Sequence, residues 1–347
     1  MLVSPLREAG DAAVQSLSAP VADALELLRS GRKRLRTERR VGWQIVNLDL
    51  DGRRLRYRVT DNIRSPLARR VTDGADEQIW AMSLHGYFAG GSMYARESEN
   101  LAERFGWRVV NLSLPGFGGS DALGTAEVSI DQLTDQIALV KERLGIASIL
   151  LFGHSMGAAV AMHYAANHPD EVLGVVYRDG IATPAWQHRH GAVAKLLNGA
   201  LPEVAPMADM AAAVALDLPD LLAGHAFLTI RSMIPDLRHN MKTLAHSAPI
   251  ASMLMNLDLS CEVRAVRANG VPVLAEWGCF DRLVPPSTAS EFAEVAGLDV
   301  HWVLGGHSWM LARPHGQADV LTKTRWGRAF LDATTRRAAA LEVGVAT

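Results

Sequence analysis

Short apolar runs separated by longer stretches of helical periodicity recur along the chain, and no other feature narrows its fold as far. The runs are Ile79 to Leu84, Trp107 to Leu112, Ser148 to Phe152, Val172 to Tyr177, Val271 to Trp277 and Asp299 to Leu304. Each has the length of a strand and is mostly apolar, as strands covered on both faces are. Strands that alternate with helices are joined by crossovers, so the pattern predicts an α/β fold with a mostly parallel sheet and helices on both faces. Ahead of these runs the period changes. Trp43, Ile45, Asn47 and Asp49 alternate up to Asp51-Gly52, and Leu55, Tyr57 and Val59 alternate after it. An Asp-Gly step between alternating runs predicts a hairpin, here an antiparallel edge of the sheet.

The interval between Ile181 and Gly270 is too long for one crossover. It is rich in Ala, Leu and Met, has helical spacing, and carries Pro202, Pro206, Pro219, Pro235 and Pro249 as breaks. It reads as several short helices inserted between two core strands, packed over the carboxyl edge of the sheet where such folds bind ligands. The organisation expected is therefore an N-terminal helical segment over 1–40, core over 41–181, a helical cap over 182–270 and the rest of the core over 271–347. Met207, Met210, Met233, Met241, Met253 and Met255 suit either core packing or an adaptable apolar pocket.

Composition excludes several classes. Hydrophobic residues make up 49% and charged residues 21%, which argues against extended disorder. A net charge of -2 gives no general attraction to nucleic acid. Cys261 and Cys279 flank one predicted strand and imply no disulfide scaffold. The first residues carry Arg7, Glu8 and Asp11, against a cleavable secretory signal, and no run is long and apolar enough to span a bilayer. A cytoplasmic location is the expectation. The segment to Arg40 places Val21, Leu25, Leu27 and Leu28 on roughly one side of a helix before the basic run Arg32 to Arg36. It reads first as a solvated helix packed across the core, with a peripheral contact with anionic lipid or a partner as the alternative.

The chemistry centres on Gly153-His154-Ser155-Met156-Gly157, which follows the run ending at Phe152 and precedes helical residues from Ala158. The pentapeptide alone arises by chance in roughly one chain in ten of this length, so its setting carries the argument. Between a buried strand and a helix, small residues permit a strained turn that lifts the serine hydroxyl above the sheet. His85-Gly86-Tyr87 follows an earlier strand, Pro115 to Ser120 follows the next, Gly278-Cys279-Phe280-Asp281 follows Trp277, and Gly305-Gly306-His307 follows the last.

In these motifs and their order the chain resembles the α/β-hydrolase fold family from about residue 41 to 335. The resemblance implies an eight-stranded-type, mostly parallel sheet with a helical cap, Ser155 as nucleophile, His307 as general base and Asp281 as the acid that orients it. Asp179, after the strand ending at Tyr177, is the substitute acid, since some relatives place theirs there. The N–H groups of Tyr87 and Met156 would form the oxyanion hole. Ser113 stands where many members carry an aspartate before the Pro115 loop. No H-E-x-x-H, cysteine cluster or phosphate-loop lysine is present, so neither metal nor organic cofactor is expected.

The function expected is acyl transfer to water from an ester-like, hydrophobic or lipid-like small molecule through an acyl-enzyme on Ser155. The same residues serve carbon-carbon bond hydrolases, thioesterases, lactonases and acyltransferases, and a non-catalytic binding protein is the rival from another class. Oligomeric state is not legible.

Overall fold

A computed structural model describes residues 42–61, 79–124, 127–186 and 226–345. The expected N-terminal helix, and the methionines and prolines between 187 and 225, lie outside them.

The described residues build one eight-stranded sheet in the order β1-β2-β4-β3-β5-β6-β7-β8. Gly42–Leu50 (β1) and Arg53–Asp61 (β2) form the expected hairpin around Asp51 and Gly52, whose φ values of 54° and 84° are those the tight turn demands. β2 runs antiparallel to Arg108–Leu112 (β4), and the rest of the sheet is parallel: Trp80–Leu84 (β3), Ile149–His154 (β5), Val172–Arg178 (β6), Val273–Gly278 (β7) and Val300–Val303 (β8). The predicted runs match these strands within two residues at each end. The difference with a consequence is in β5, which continues through Gly153 to His154 and delivers Ser155 directly at the sheet edge.

Two apolar layers sandwich the sheet because successive strand residues face opposite ways. In β5, Ile149 and Leu151 join one layer while Leu150 and Phe152 join the other. The first layer is closed by Ile130–Leu144 (α2), Met156–Asn167 (α3) and Pro286–Ala296 (α7), the second by Ala95–Phe105 (α1), Gly316–Lys323 (α9) and Arg325–Val345 (α10). The ends of α2 are encoded locally: Ser129 and Gln132 form a reciprocal capping box, and Gly145 ends the helix in the left-handed conformation.

Within 182–270 the described helices are Ala226–Lys242 (α4), Leu244–Met255 (α5) and Ser260–Ala268 (α6). Pro235 and Pro249, expected as breaks, lie inside α4 and α5. A proline removes one N–H and bends a helix, but α4 is held across its proline by buried Asp236 and Asn240, which bond to core loops. Helix α6 packs on α3 and sends Val263 and Val266 into the main core. Among the described residues of this insertion, α4 and α5 approach the loops at the sheet's carboxyl edge. Among the described residues no helix is long and apolar enough to cross a membrane.

Candidate active site

Ser155 occupies the junction of β5 and α3 with φ 54° and ψ −117°. Such a backbone is costly for any residue with a side chain and persists only where its surroundings over-determine it. Here its N–H donates to the Arg178 carbonyl at 2.9 Å, and its own carbonyl accepts from Ala158 N–H at 3.0 Å. The flanking glycines are steric requirements. A Cβ on Gly157 would run into the Leu84 carbonyl oxygen and come within 2.8 Å of the His85 carbonyl, and one on Gly153 would sit 2.6 Å from the Gly157 oxygen. Met156, fully buried, is the first residue of α3, so its N–H has no acceptor inside the helix and lies at the positive end of the helix dipole.

The loops bearing Asp281 and His307 are zipped together. Beyond the β7–β8 pairing, Cys279 N–H donates to the Val303 carbonyl at 2.8 Å and Phe280 N–H to the Gly305 carbonyl at 2.9 Å. This continuation brings the two side chains into contact: His307 Nδ1 lies 2.8 Å from Asp281 Oδ2, while Asp281 Oδ1 accepts from Val284 N–H at 2.8 Å. Both residues are buried. With Nδ1 directed at the carboxylate, Nε2 is the ring atom left to exchange a proton elsewhere.

Asp179 joins the same cluster, because β6 and β7 are neighbours and both end there. It is fully buried, adopts φ 46°, and accepts from Gly278 N–H at 2.7 Å and Trp309 Nε1–H at 2.9 Å. Burial, and then the adjacent Asp281 carboxylate, push its carboxyl well above the usual range. The carboxyl that contacts the imidazole is Asp281, with Asp179 behind it on Gly278 N–H and the Trp309 indole.

Asp179, Asp281 and His307 bring ligand-type atoms within 4.8 Å of one another, a spacing a metal ion could use. Each of the four carboxyl oxygens already makes one hydrogen bond, to Gly278, Trp309, Val284 or His307.

His154 and His85 have other work. His154 lies against His307, ring centroids 4.6 Å apart, and its Nε2–H donates to the His307 carbonyl at 2.8 Å. Its Nδ1 accepts from the Tyr94 hydroxyl at 2.6 Å. Burial, and then His307, hold its pKa well below the ordinary value, so the ring is neutral and that tautomer is the one the contacts require. His85, whose pKa burial lowers to about 4, accepts from Leu114 N–H through Nε2 and donates from Nδ1 to the Gly86 carbonyl. It staples the loop carrying Tyr87 to the one carrying Pro115. Ser113, standing where an aspartate was expected, donates to the Gly118 carbonyl and accepts from Gly91 N–H, both at 3.2 Å. A hydroxyl thus bridges the two loops without burying a charge.

Tyr87 is partly exposed; its hydroxyl lies 2.9 Å from Ser247 Oγ on α5 and its ring meets Phe117 edge-on. Tyr94, Asp236 and Asn240 support these loops and were not nominated from the sequence. Tyr94 sits just outside a helix, and the other two are polar residues in a helical stretch, which without tertiary contacts read as solvent-facing.

Residues 82–311 match the family model described as alpha/beta hydrolase fold. A candidate non-heme haloperoxidase of Mycobacterium phage D29 is 28% identical over 73% of this chain and 88% of its own length. A 2-hydroxy-6-oxononadienedioate/2-hydroxy-6-oxononatrienedioate hydrolase of Klebsiella pneumoniae is 26% identical over 74% of this chain and 86% of its own. Among solved structures, a thermophilic esterase of Thermogutta terrifontis superposes with a TM-score of 0.59 at 20% identity, covering 84% of this chain and 99% of its own, which is a likeness of fold.

Proposed function

The chain belongs to the α/β hydrolase fold family, and on that premise we propose that it is a serine hydrolase that cleaves an ester-like bond of a small, hydrophobic substrate through an acyl-enzyme on Ser155. The observation that carries this reading is the pairing of a serine on a strained strand-to-helix turn with the buried Asp281–His307 contact of 2.8 Å at the same edge of the sheet. In the proposed reaction His307 Nε2 takes the Ser155 proton as the hydroxyl oxygen attacks the carbonyl carbon. Asp281 holds the ring and stabilises the imidazolium that forms. The N–H groups of Met156 and Tyr87 receive the developing oxyanion, and His307 then returns the proton to the leaving group. Water repeats the sequence on the acyl-enzyme. Residues 182–270 would act as the cap, with the apolar part of the substrate between it and the sheet edge.

A second reading has support in one finding. The Klebsiella relative named as a hydrolase of an oxononadienedioate covers most of both chains, which makes cleavage of a carbon-carbon bond next to a carbonyl the alternative for the same residues. A fluorophosphonate probe tests the shared premise: it should label Ser155, and Ser155→Ala should abolish labelling in a protein that still folds. Full labelling of the alanine variant would remove Ser155 from the mechanism. Turnover of p-nitrophenyl esters against a vinylogous 1,5-diketone then separates the two substrates.

A further inference from the structure

Helix α4 and Thr243 just beyond it meet the core through polar groups spaced to fall on one side, of which Asp236 and Asn240 are buried. Asp236, one turn before Asn240, accepts from Ser92 N–H at 2.9 Å and from the Ser92 hydroxyl, and lies 3.7 Å from Arg58 of β2. His239 contacts the Ser120 carbonyl at 3.0 Å, and Thr243 donates to the Gly116 carbonyl at 3.0 Å. Asn240, 1% exposed, is the one residue in this row that touches both loops beside Ser155. Its Nδ2 donates to the Phe88 and Ala89 carbonyls at 2.8 and 2.9 Å, and its Oδ1 accepts from Gly118 N–H at 2.9 Å. Every strong hydrogen-bonding position toward the core is used, and flipping the amide would set an oxygen against two carbonyls.

The carbonyls that Asn240 holds belong to a strained turn. Ala89 N–H donates to the Gly86 carbonyl at 3.1 Å, so Gly86 to Ala89 form a turn with Tyr87 and Phe88 at its centre. Phe88 stands at φ 61°, in the position where such turns favour glycine or asparagine. A bulky residue enters the left-handed region rarely and only when something outside the turn keeps it there. The side chain that supplies this hold is Asn240, from a different part of the chain.

We propose that Asn240 is a positioning residue that couples the seating of α4 to the aim of the Tyr87 N–H, so that the oxyanion hole is complete only while this cap helix is docked. The inference rests on the reading above, in which Tyr87 N–H receives the oxyanion. A donor moved by an ångström or so loses most of its value in the transition state while substrate binding is little affected.

The test uses the full chain and compares wild type with Asn240→Ala, Asn240→Asp, Thr243→Val, Phe88→Gly and Phe88→Gly/Asn240→Ala. Readouts are kcat and KM on a p-nitrophenyl ester, the Kd of a phenylboronic acid, whose tetrahedral adduct places an oxygen in the oxyanion position, and Tm to establish folding. Asn240→Ala should lower kcat by roughly 10- to 100-fold with KM changed less than about threefold, and raise the boronate Kd by a factor similar to the kcat loss. Asn240→Asp keeps an oxygen for Gly118 N–H but cannot donate to Phe88 and Ala89, so it should lose activity as the alanine variant does. It carries the test alone if the alanine variant does not fold. Thr243→Val loosens the same helix without touching the turn and should stay within about twofold of wild type. Glycine at 88 adopts the positive φ unaided, so the Asn240→Ala loss should shrink at least threefold in that background. Wild-type kcat and boronate affinity in Asn240→Asp, an equal loss in Thr243→Val, or an unchanged Asn240→Ala loss in the Phe88→Gly background would each overturn the proposal. Absence of turnover and of boronate binding in the wild type would instead overturn the reading of the site itself.

Discussion

Glu276→Gln should flatten the pH dependence of folding stability and leave the protein more stable above neutrality. Glu276 lies on β7, fully buried; its Oε1 accepts from Gln317 Nε2 at 3.1 Å, and its Oε2 has no partner among the described residues. Burial, only partly offset by the Arg178 guanidinium, raises its pKa from 4.5 to about 8. Arg178 is already engaged by both oxygens of Glu97, at 2.6 and 2.7 Å. Because the folded value lies above the unfolded one, this group's contribution is complete below about pH 4.5 and is lost as pH rises through about 8. Across that window the native state binds the extra proton, and stability falls by about 1.4 kcal/mol per pH unit, or on the order of 5 kcal/mol in all. Glutamine keeps the shape and an acceptor for Gln317 but does not titrate. Chemical denaturation followed by tryptophan fluorescence at pH 5 to 9 should therefore give similar stabilities for the two proteins at pH 5 and an advantage of roughly 3–5 kcal/mol for the variant at pH 9. Parallel stability curves for wild type and variant would refute the reasoning, since they would mean that Glu276 does not bind its proton more tightly in the fold.

Asp281→Asn should lower ester turnover by about a thousandfold or more, because the imidazole loses its anionic partner; Asp179→Asn, at a carboxyl that accepts from Gly278 N–H and the Trp309 indole rather than from the imidazole, should cost about tenfold or less. The opposite order in steady-state kinetics would reverse the two roles. Gly157→Ala should destabilise the protein by about 2 kcal/mol or more and remove activity, because the added carbon meets two backbone carbonyls that cannot swing aside; an unchanged Tm would contradict the packing described. If the cap forms an apolar acyl pocket, kcat/KM for p-nitrophenyl esters should climb from acetate toward octanoate by at most about 0.8 kcal/mol of transition-state stabilisation per methylene. A steady fall from acetate onward would mean that the apolar residues of 182–270 are structural.

Much of the scaffold could be read along the chain because its signals are local. Asp51-Gly52 specifies its turn through the φ values it alone tolerates cheaply, and Ser129 with Gln132 writes its own helix start. The turn at Ser155 is legible for the same reason: Gly153 and Gly157 are required by contacts within a few residues of Ser155 and by one neighbouring strand. Pro235 and Pro249 lie inside helices rather than between them, since a proline reports a cost to a helix and not whether packing, by Asp236 and Asn240 in the case of Pro235, will overcome it.

The sequence by itself determined the class of sheet, the strained serine turn, and the order in which a serine, an acid and a histidine follow its strands, because apolar period and turn chemistry are properties of short segments. It could nominate Asp281 and Asp179 but not rank them by physics, since both follow strands and both are aspartates. The tertiary structure separates their surroundings: adjacent strands bring the two carboxyls together, burial and the neighbouring carboxylate raise the pKa of Asp179, and the zipped β7 and β8 loops set His307 against Asp281. The hold of Asn240 on the Phe88 turn, and the buried group of Glu97, Arg178, Glu276 and Gln317, likewise exist only in three dimensions, because a polar side chain's energy depends on what surrounds it and not on its neighbours in sequence.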